Sequence, residues 1–179
     1  MQDDFGEAKP MEYRLKNSTA ITVRLKKRDD GDALGKMLAA CSDQTYYFFH
    51  PYPLTYDSGL KVVEDETITC FVAFADAGDA VGYVWMDNAD TPTVGICSRD
   101  GWQGIGVGRI LLRQLIREAQ THGKKALQLT VMKDNSRAIA LYQSVGFVID
   151  GDASDPMGPS YHMTLHLKTG VREEAGVRD

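Results

Sequence analysis

Gln103-Gly104-Ile105-Gly106-Val107-Gly108-Arg109 sets three glycines at alternate positions directly ahead of an amphipathic helical pattern. Upstream, Val94-Gly95-Ile96-Cys97-Ser98 reads as a short buried strand; downstream, Leu111, Leu112, Leu115, Ile116 and Ala119 recur at three- and four-residue spacing. The order is strand, glycine loop, helix. Glycine admits positive φ and leaves no Cβ between backbone and ligand, while the first amides of a helix are unpaired and carry the positive end of its dipole. The stretch therefore reads as a pyrophosphate site built from the amides of Gly104, Ile105, Gly106, Val107, Gly108 and Arg109. No Gly-Lys-Ser/Thr follows, which removes the Walker-type loop, and the spacing is GxGxG, not the GxGxxG of dinucleotide folds. Taken alone, the loop also suits a plainer role, a turn that lets a helix pack closely on a strand.

The next segment decides between these. A second strand, Leu127-Gln128-Leu129-Thr130-Val131, precedes a helix that starts at Asp134 or Asn135, either of them a good N-cap, and ends at Gly146. Asn135 and Tyr142 are seven residues apart, so on a helix they lie within about 20° of one another. An amide and a phenol share one face.

Together these residues resemble the GNAT superfamily of acyl-CoA-dependent N-acetyltransferases. Gln103, Gly106 and Gly108 fit that family's Q/R-x-x-G-x-G/A loop. Asn135, Ala138 or Ala140, Tyr142, Gly146 and Phe147 fit its later Asn…Ala…Tyr…Gly-Phe segment. The close resemblance covers roughly residues 80 to 149. It implies an α/β (α+β) fold: a mixed, mostly antiparallel twisted sheet with helices on both faces and two parallel strands that splay apart at the acyl-CoA site. It further implies acetyl-CoA as cosubstrate with no metal, the pantetheine arm lying along the strand that carries Ile96, Cys97 and Ser98. Backbone groups at Ile96 and Ser98 would meet the arm and the thioester carbonyl, Asn135 would contact the arm, and Tyr142 would protonate the leaving thiolate. Several family members carry a carboxylate base near the strand before the loop; Val94-Gly95-Ile96-Cys97-Ser98 has none, leaving Glu64, Glu66, Asp87 and His50 as candidates. Arg99, Arg109 and Lys133 are candidates for the nucleotide phosphates, Arg109 the best placed.

The N-terminal half supplies a pattern of elements. Residues 1–19 read as an extension, flexible in part, and 20–168 as the acetyltransferase domain. Ile21-Thr22-Val23-Arg24-Leu25 alternates like a first strand, and Ala33, Leu34, Met37 and Leu38 mark a helix. Tyr46-Tyr47-Phe48-Phe49-His50-Pro51-Tyr52-Pro53 gathers much of the aromatic surface, and its prolines rule out a long helix. In the resembled family this region walls the acceptor site, so Phe48, Phe49, His50 and Tyr52 are candidate substrate contacts; core packing is the plainer reading. Residues 59–66 read as exposed, and a three-stranded meander follows from Thr67 to Ser98, turning at 75–79. A loop over 151–160, with Pro156 and Pro159, precedes a last strand from Tyr161, and 169–179 reads as a tail. His162 and His166 are about 13 Å apart on a strand, which discounts a metal between them.

With 43% hydrophobic and 25% charged residues, the 179-residue chain is globular, and its net charge of −5 argues against nucleic acid or anionic membrane as partners. Cys41, Cys70 and Cys97 have no metal-ligand spacing and read as free thiols. Neither an apolar span nor a secretory leader is visible, which fits a cytoplasmic protein. The expected partner is a small-molecule amine or a peptide substrate, and a homodimer stays open. Three functions follow: acetyl or short-acyl transfer to a small-molecule amine, transfer to a protein N-terminus or lysine, or acyl-CoA binding without turnover.

Overall fold

Ile21 and Val23 are buried while their neighbours are half-exposed, so β2 (Ala20–Leu25) lays one face on a core. The structure, a computed structural model, describes residues 10–75 and 78–168; the expectations for 1–9, for turn residues 76 and 77 and for the tail 169–179 lie outside the described residues. Within them β2 is not the first strand. β1 (Met11–Arg14) pairs antiparallel with it inside the stretch read as an extension, and the Gln114 side-chain amide donates to the Tyr13 hydroxyl at 2.7 Å.

β3 (Ile68–Ala75), β4 (Ala80–Asp87) and β5 (Val94–Ser98) form the expected meander, completing an antiparallel sheet in the order β1-β2-β3-β4-β5. β3 and β4 are apolar almost throughout because both faces are covered. On one face, Leu34, Met37 and Leu38 of α1 (Gly31–Ala39) pack on Cys70, Val72, Phe74 and Tyr83. On the other, Val107, Leu111, Leu112, Leu115 and Ala119 of α4 (Val107–Thr121) pack on Val23, Phe71, Ala73, Val81 and Val84. Helices thus cover both faces, as expected.

Residues 59–66 are not an exposed connection. Thr55 caps α3 (Tyr56–Glu64), its hydroxyl accepting from the Ser58 amide at 3.2 Å, and Val62 and Val63 join the α1 core. Only Val62 and Val63 bury side chains in this nine-residue helix, which gave a weak periodic signal. Between α1 and α3, α2 (Asp43–Phe48) is a short helix capped by Ser42 that ends ahead of Pro51.

After α4 the chain forms a second antiparallel sheet, ordered β6-β8-β7, from β6 (Ala126–Met132), β7 (Val148–Asp155) and β8 (Gly158–His166), with α5 (Ser136–Ser144) between β6 and β7. The expected loop over 151–160 is therefore largely strand. Pro156 occupies the turn and Pro159 the start of β8, positions where a missing amide breaks no ladder. The expected single mixed sheet is instead two antiparallel sheets, which meet at a parallel bridge between Thr93 and Gln128. There the Gln128 amide donates to the Pro92 carbonyl at 2.9 Å. Among the described residues no helix is long and apolar enough to cross a membrane.

Candidate active site

The glycine loop turns as its composition requires. Gly104 and Gly106 have φ of +78° and +116°, and Gly106 is the N-cap of α4. The first helical bond is Ile110 N–H to the Gly106 carbonyl, 3.1 Å, so the amides of Val107, Gly108 and Arg109 precede it and remain available to an anion. Gly108 is there for a different reason. A Cβ at this position would sit 3.0 Å from Leu141 Cδ2, so its small size lets α4 pack on α5. The close-packing reading holds at Gly108, while Gly104 and Gly106 supply the turn.

Gln103 braces this turn. Its Nε2 donates to the Thr45 hydroxyl and the Ser98 carbonyl, each at 3.2 Å, and its Oε1 accepts from Arg137 at 2.8 Å. One amide thus joins α2, the end of β5, the loop and α5. Asp100 reinforces the link, accepting from the Ser42 amide at 2.6 Å and the Thr45 hydroxyl at 2.7 Å. Burial works to raise its carboxyl pKa, but these bonds prevail and hold it below the ordinary value.

α5 starts where expected: Asn135 is its N-cap, with Oδ1 accepting from the Ala138 amide at 3.1 Å. Two turns further along the same helical face, Tyr142 is 8% exposed, its ring 5.9 Å from that of Phe147. Burial, assisted by the nearby Cys97 thiol, pushes its phenol pKa well up, so the group stays protonated at neutral pH.

A cavity of about 770 Å³ gathers most of these groups. Ile96, Cys97 and Ser98 of β5 line it. So do Gln103, Gly104, Gly106, Gly108 and Arg109 of the loop and helix start. Asn135 and Tyr142 join them from α5, Phe48 from the end of α2, and Phe49 and His50 from the segment that follows it. Ile105, Val107 and Tyr52 do not line it. The Val107 side chain belongs to the core, and the Ile105 carbonyl accepts the Lys16 amide at 3.2 Å. The Tyr52 hydroxyl is 2.5 Å from that of Tyr83, and burial raises its pKa; Tyr52 therefore takes the plainer role, core packing.

Of the four candidate bases only His50 lines the cavity. Glu66 pairs with Arg28 at 2.9 Å on the surface, and Asp87 accepts from the Ala89 and Thr93 amides in a turn. Glu64 closes α3. Lys133 is held by Asp152 at 2.7 Å, and like Arg99 it is not part of the lining; Arg109 is. Sequence reasoning missed Trp85, Asp134, Arg137 and Asp155, all of which line the cavity. Asp155 fell in the supposed loop, where no periodicity could single it out. Among the described residues no three His, Cys, Asp or Glu side chains come together as a metal site.

An α+β chain in which an antiparallel meander feeds a glycine turn and a helix, with a buried phenol on a second helix at the same cavity, has the fold of the GNAT acetyltransferases. Solved structures share it: the GNAT domain of S. lividans PAT, with a TM-score of 0.75 at 20% identity over 88% of this chain and 97% of that one. A second is yncA from Salmonella typhimurium, a putative acetyltransferase solved with acetyl-CoA, with a TM-score of 0.70 at 22% identity over 87% of this chain and 99% of that one. The chain belongs to the Acetyltransferase (GNAT) family, whose model matches residues 34–147. The L-amino acid N-acetyltransferase AaaT of Escherichia coli K12 is 31% identical over 108 residues, 56% of this chain and 66% of that protein. The [ribosomal protein bS18]-alanine N-acetyltransferase of Salmonella typhimurium is 35% identical over 88 residues, 49% of this chain and 53% of that protein. The chain thus spans about half to two thirds of the length of these curated relatives.

Proposed function

We propose that this chain transfers an acetyl or short acyl group from acetyl-CoA to the primary amine of a small molecule, in one direct step. The observation that carries the reading is the shared cavity, which joins the glycine turn, the β5 backbone, Asn135, Tyr142 and the aromatic end of α2. The amides of Val107, Gly108 and Arg109, with the Arg109 side chain, hold the pyrophosphate. The pantetheine arm lies between β5 and β6, which bridge only through Thr93 and Gln128 among the described residues and diverge into separate sheets beyond. That divergence is the proposed splay. It leaves β5 groups such as those of Ile96 and Ser98 to bond the arm and to stabilise the charge that develops on the thioester oxygen. Tyr142 gives its proton to the departing thiolate. Phe48, Phe49 and Trp85 give the cavity the apolar walls that suit a small ligand, and one relative acts on L-amino acids.

Transfer to a protein N-terminus is the second reading, favoured by the similarity to the bS18-alanine enzyme. Calorimetry with acetyl-CoA and CoA, joined to a thiol-release assay on pooled amino acids, amines and alanine-initiated peptides, tests both. Micromolar binding with release on the small amines supports the first reading; release on the peptides alone replaces it with the second. Absence of binding would remove the whole assignment.

A further inference from the structure

His50 and Asp155 are 105 positions apart in the chain and meet at the cavity: Nε2 of the imidazole is 2.8 Å from Asp155 Oδ1. The carboxylate also accepts the Met157 amide at 2.8 Å. An ionised carboxylate only accepts, so Nε2 carries the ring proton and Nδ1 keeps its lone pair. Nδ1 is buried and has no hydrogen-bond partner. A buried polar atom without a partner is uncommon in a folded protein unless a ligand group meets it. The tautomer is fixed from one side, and a free basic nitrogen is left on the other.

We propose that the His50–Asp155 pair is the base of the transfer, with His50 Nδ1 accepting the acceptor amine's proton and Asp155 orienting the ring. The inference rests on the acyl-transfer reading above. It answers the absence of a carboxylate from β5, since the pair supplies from the segment after α2 and from β7 what that strand lacks. His50 lies on the irregular segment between the end of α2 at Phe48 and Pro51, so turning its ring to present Nδ1 to the cavity would not disturb a helix. Other titratable groups around it are Tyr46, its ring 6.3 Å away, Tyr47, and Asp134, which accepts from the Tyr47 hydroxyl at 3.0 Å. Asp134 and Asp155 give this part of the cavity the negative charge that suits a cationic amine.

The bound ammonium first gives a proton to His50 Nδ1; the freed amine nitrogen then bonds to the thioester carbonyl carbon and sheds its second proton to solvent as the amide forms. The carbon–sulfur bond breaks with its electron pair going to sulfur, and Tyr142 protonates that sulfur. The imidazolium and the phenolate return to neutral through solvent as the amide and CoA leave.

The test uses the full chain, with L-methionine, L-phenylalanine, tyramine and an alanine-initiated hexapeptide as acceptors. His50→Gln is expected to lose on the order of 100-fold in kcat with acetyl-CoA affinity unchanged by calorimetry. His50→Ala should regain part of its rate on addition of imidazole. Asp155→Asn should lose less, with the acidic limb of its pH–kcat profile displaced from that of the wild type, a change that lost packing alone would not produce. Glu66→Gln, on the surface, should match the wild type. Wild-type kcat in His50→Gln overturns the pair as base while leaving the transfer reading intact. A loss in the His50 variants accompanied by weakened acetyl-CoA binding, without imidazole rescue, overturns it in favour of a structural role. If the wild type releases no thiol with any acceptor, both readings fall together.

Discussion

Asn135 and Tyr142 share one helix but are placed there by different forces. The Asn135 side-chain Oδ1 accepts from the Ala138 amide, which leaves its NH₂ group without a role in the cap and free to donate to a ligand. Substitutions separate the two uses. Asn135→Asp keeps an N-cap acceptor and should leave the melting temperature near that of the wild type while weakening acetyl-CoA binding. Asn135→Ala should weaken binding and also cost about 1 kcal/mol of stability in a denaturant titration. If Asn135→Asp binds as the wild type does, the residue is a cap and nothing more. Tyr142 is held by burial against Phe147, which keeps its phenol protonated up to well above neutral pH. Tyr142→Phe removes the donor with little change in volume. In an enzyme, kcat should fall by roughly 100-fold with acetyl-CoA affinity retained, and a chain that only binds acyl-CoA would have no turnover to lose. Both residues were legible because their seven-residue spacing places them on one helical face. Asp155 was not, because its role depends on a partner 105 positions away.

At the scale of elements, close approach explains what the sequence hid. α1 and α3 lie so near that a Cβ on Gly59 would stand 2.3 Å from the Gly35 backbone nitrogen. A backbone atom cannot swing aside, so Gly59→Ala must push the helices apart. The expected cost is about 1–3 kcal/mol, read as a lower denaturation midpoint at unchanged denaturant slope. Acetyl-CoA affinity should survive, since neither helix lines the cavity. The α2 cap is sensitive to pH. Hydrogen bonds hold the Asp100 carboxyl below its ordinary pKa in the folded chain, so it contributes stability that is fully present above the ordinary carboxylate range. That contribution is lost as pH falls through the lower folded value. The stability gap between the wild type and Asp100→Asn should therefore be widest near neutral pH and close below about pH 4; a gap that is independent of pH would show that the charge is not what matters. The long amphipathic α4 and the apolar β3 to β5 meander were readable from periodicity. α3 and the second half of β7 were not, because the former buries only Gly59, Val62 and Val63 and the latter is an exposed edge strand with no buried residue.

At the scale of the whole molecule, the two sheets are held by covering helices and the Thr93–Gln128 bridge, while Gln103 ties β5, α2 and α5 from the other side. Composition and motifs pointed to both halves. They did not reveal that the halves form separate sheets, since strand pairing between distant segments leaves no local pattern. The proposed position of the pantetheine arm has a mechanical consequence: acetyl-CoA, hydrogen-bonded along β5 between the sheets, would itself act as a missing strand. Ligand at about 100 times its Kd stabilises a folded protein by about 2.7 kcal/mol, which corresponds to a rise in melting temperature of roughly 5–10 °C for a chain of this size. Any tight ligand gives such a rise, so location is the sharper readout. Hydrogen exchange with and without acetyl-CoA should show protection concentrated at Val94–Ser98 and at the start of α4, with the β1 to β3 amides nearly unchanged. Protection at α4 alone would place the pyrophosphate correctly and remove the arm from β5, and with it the role given to the Ile96 and Ser98 backbone.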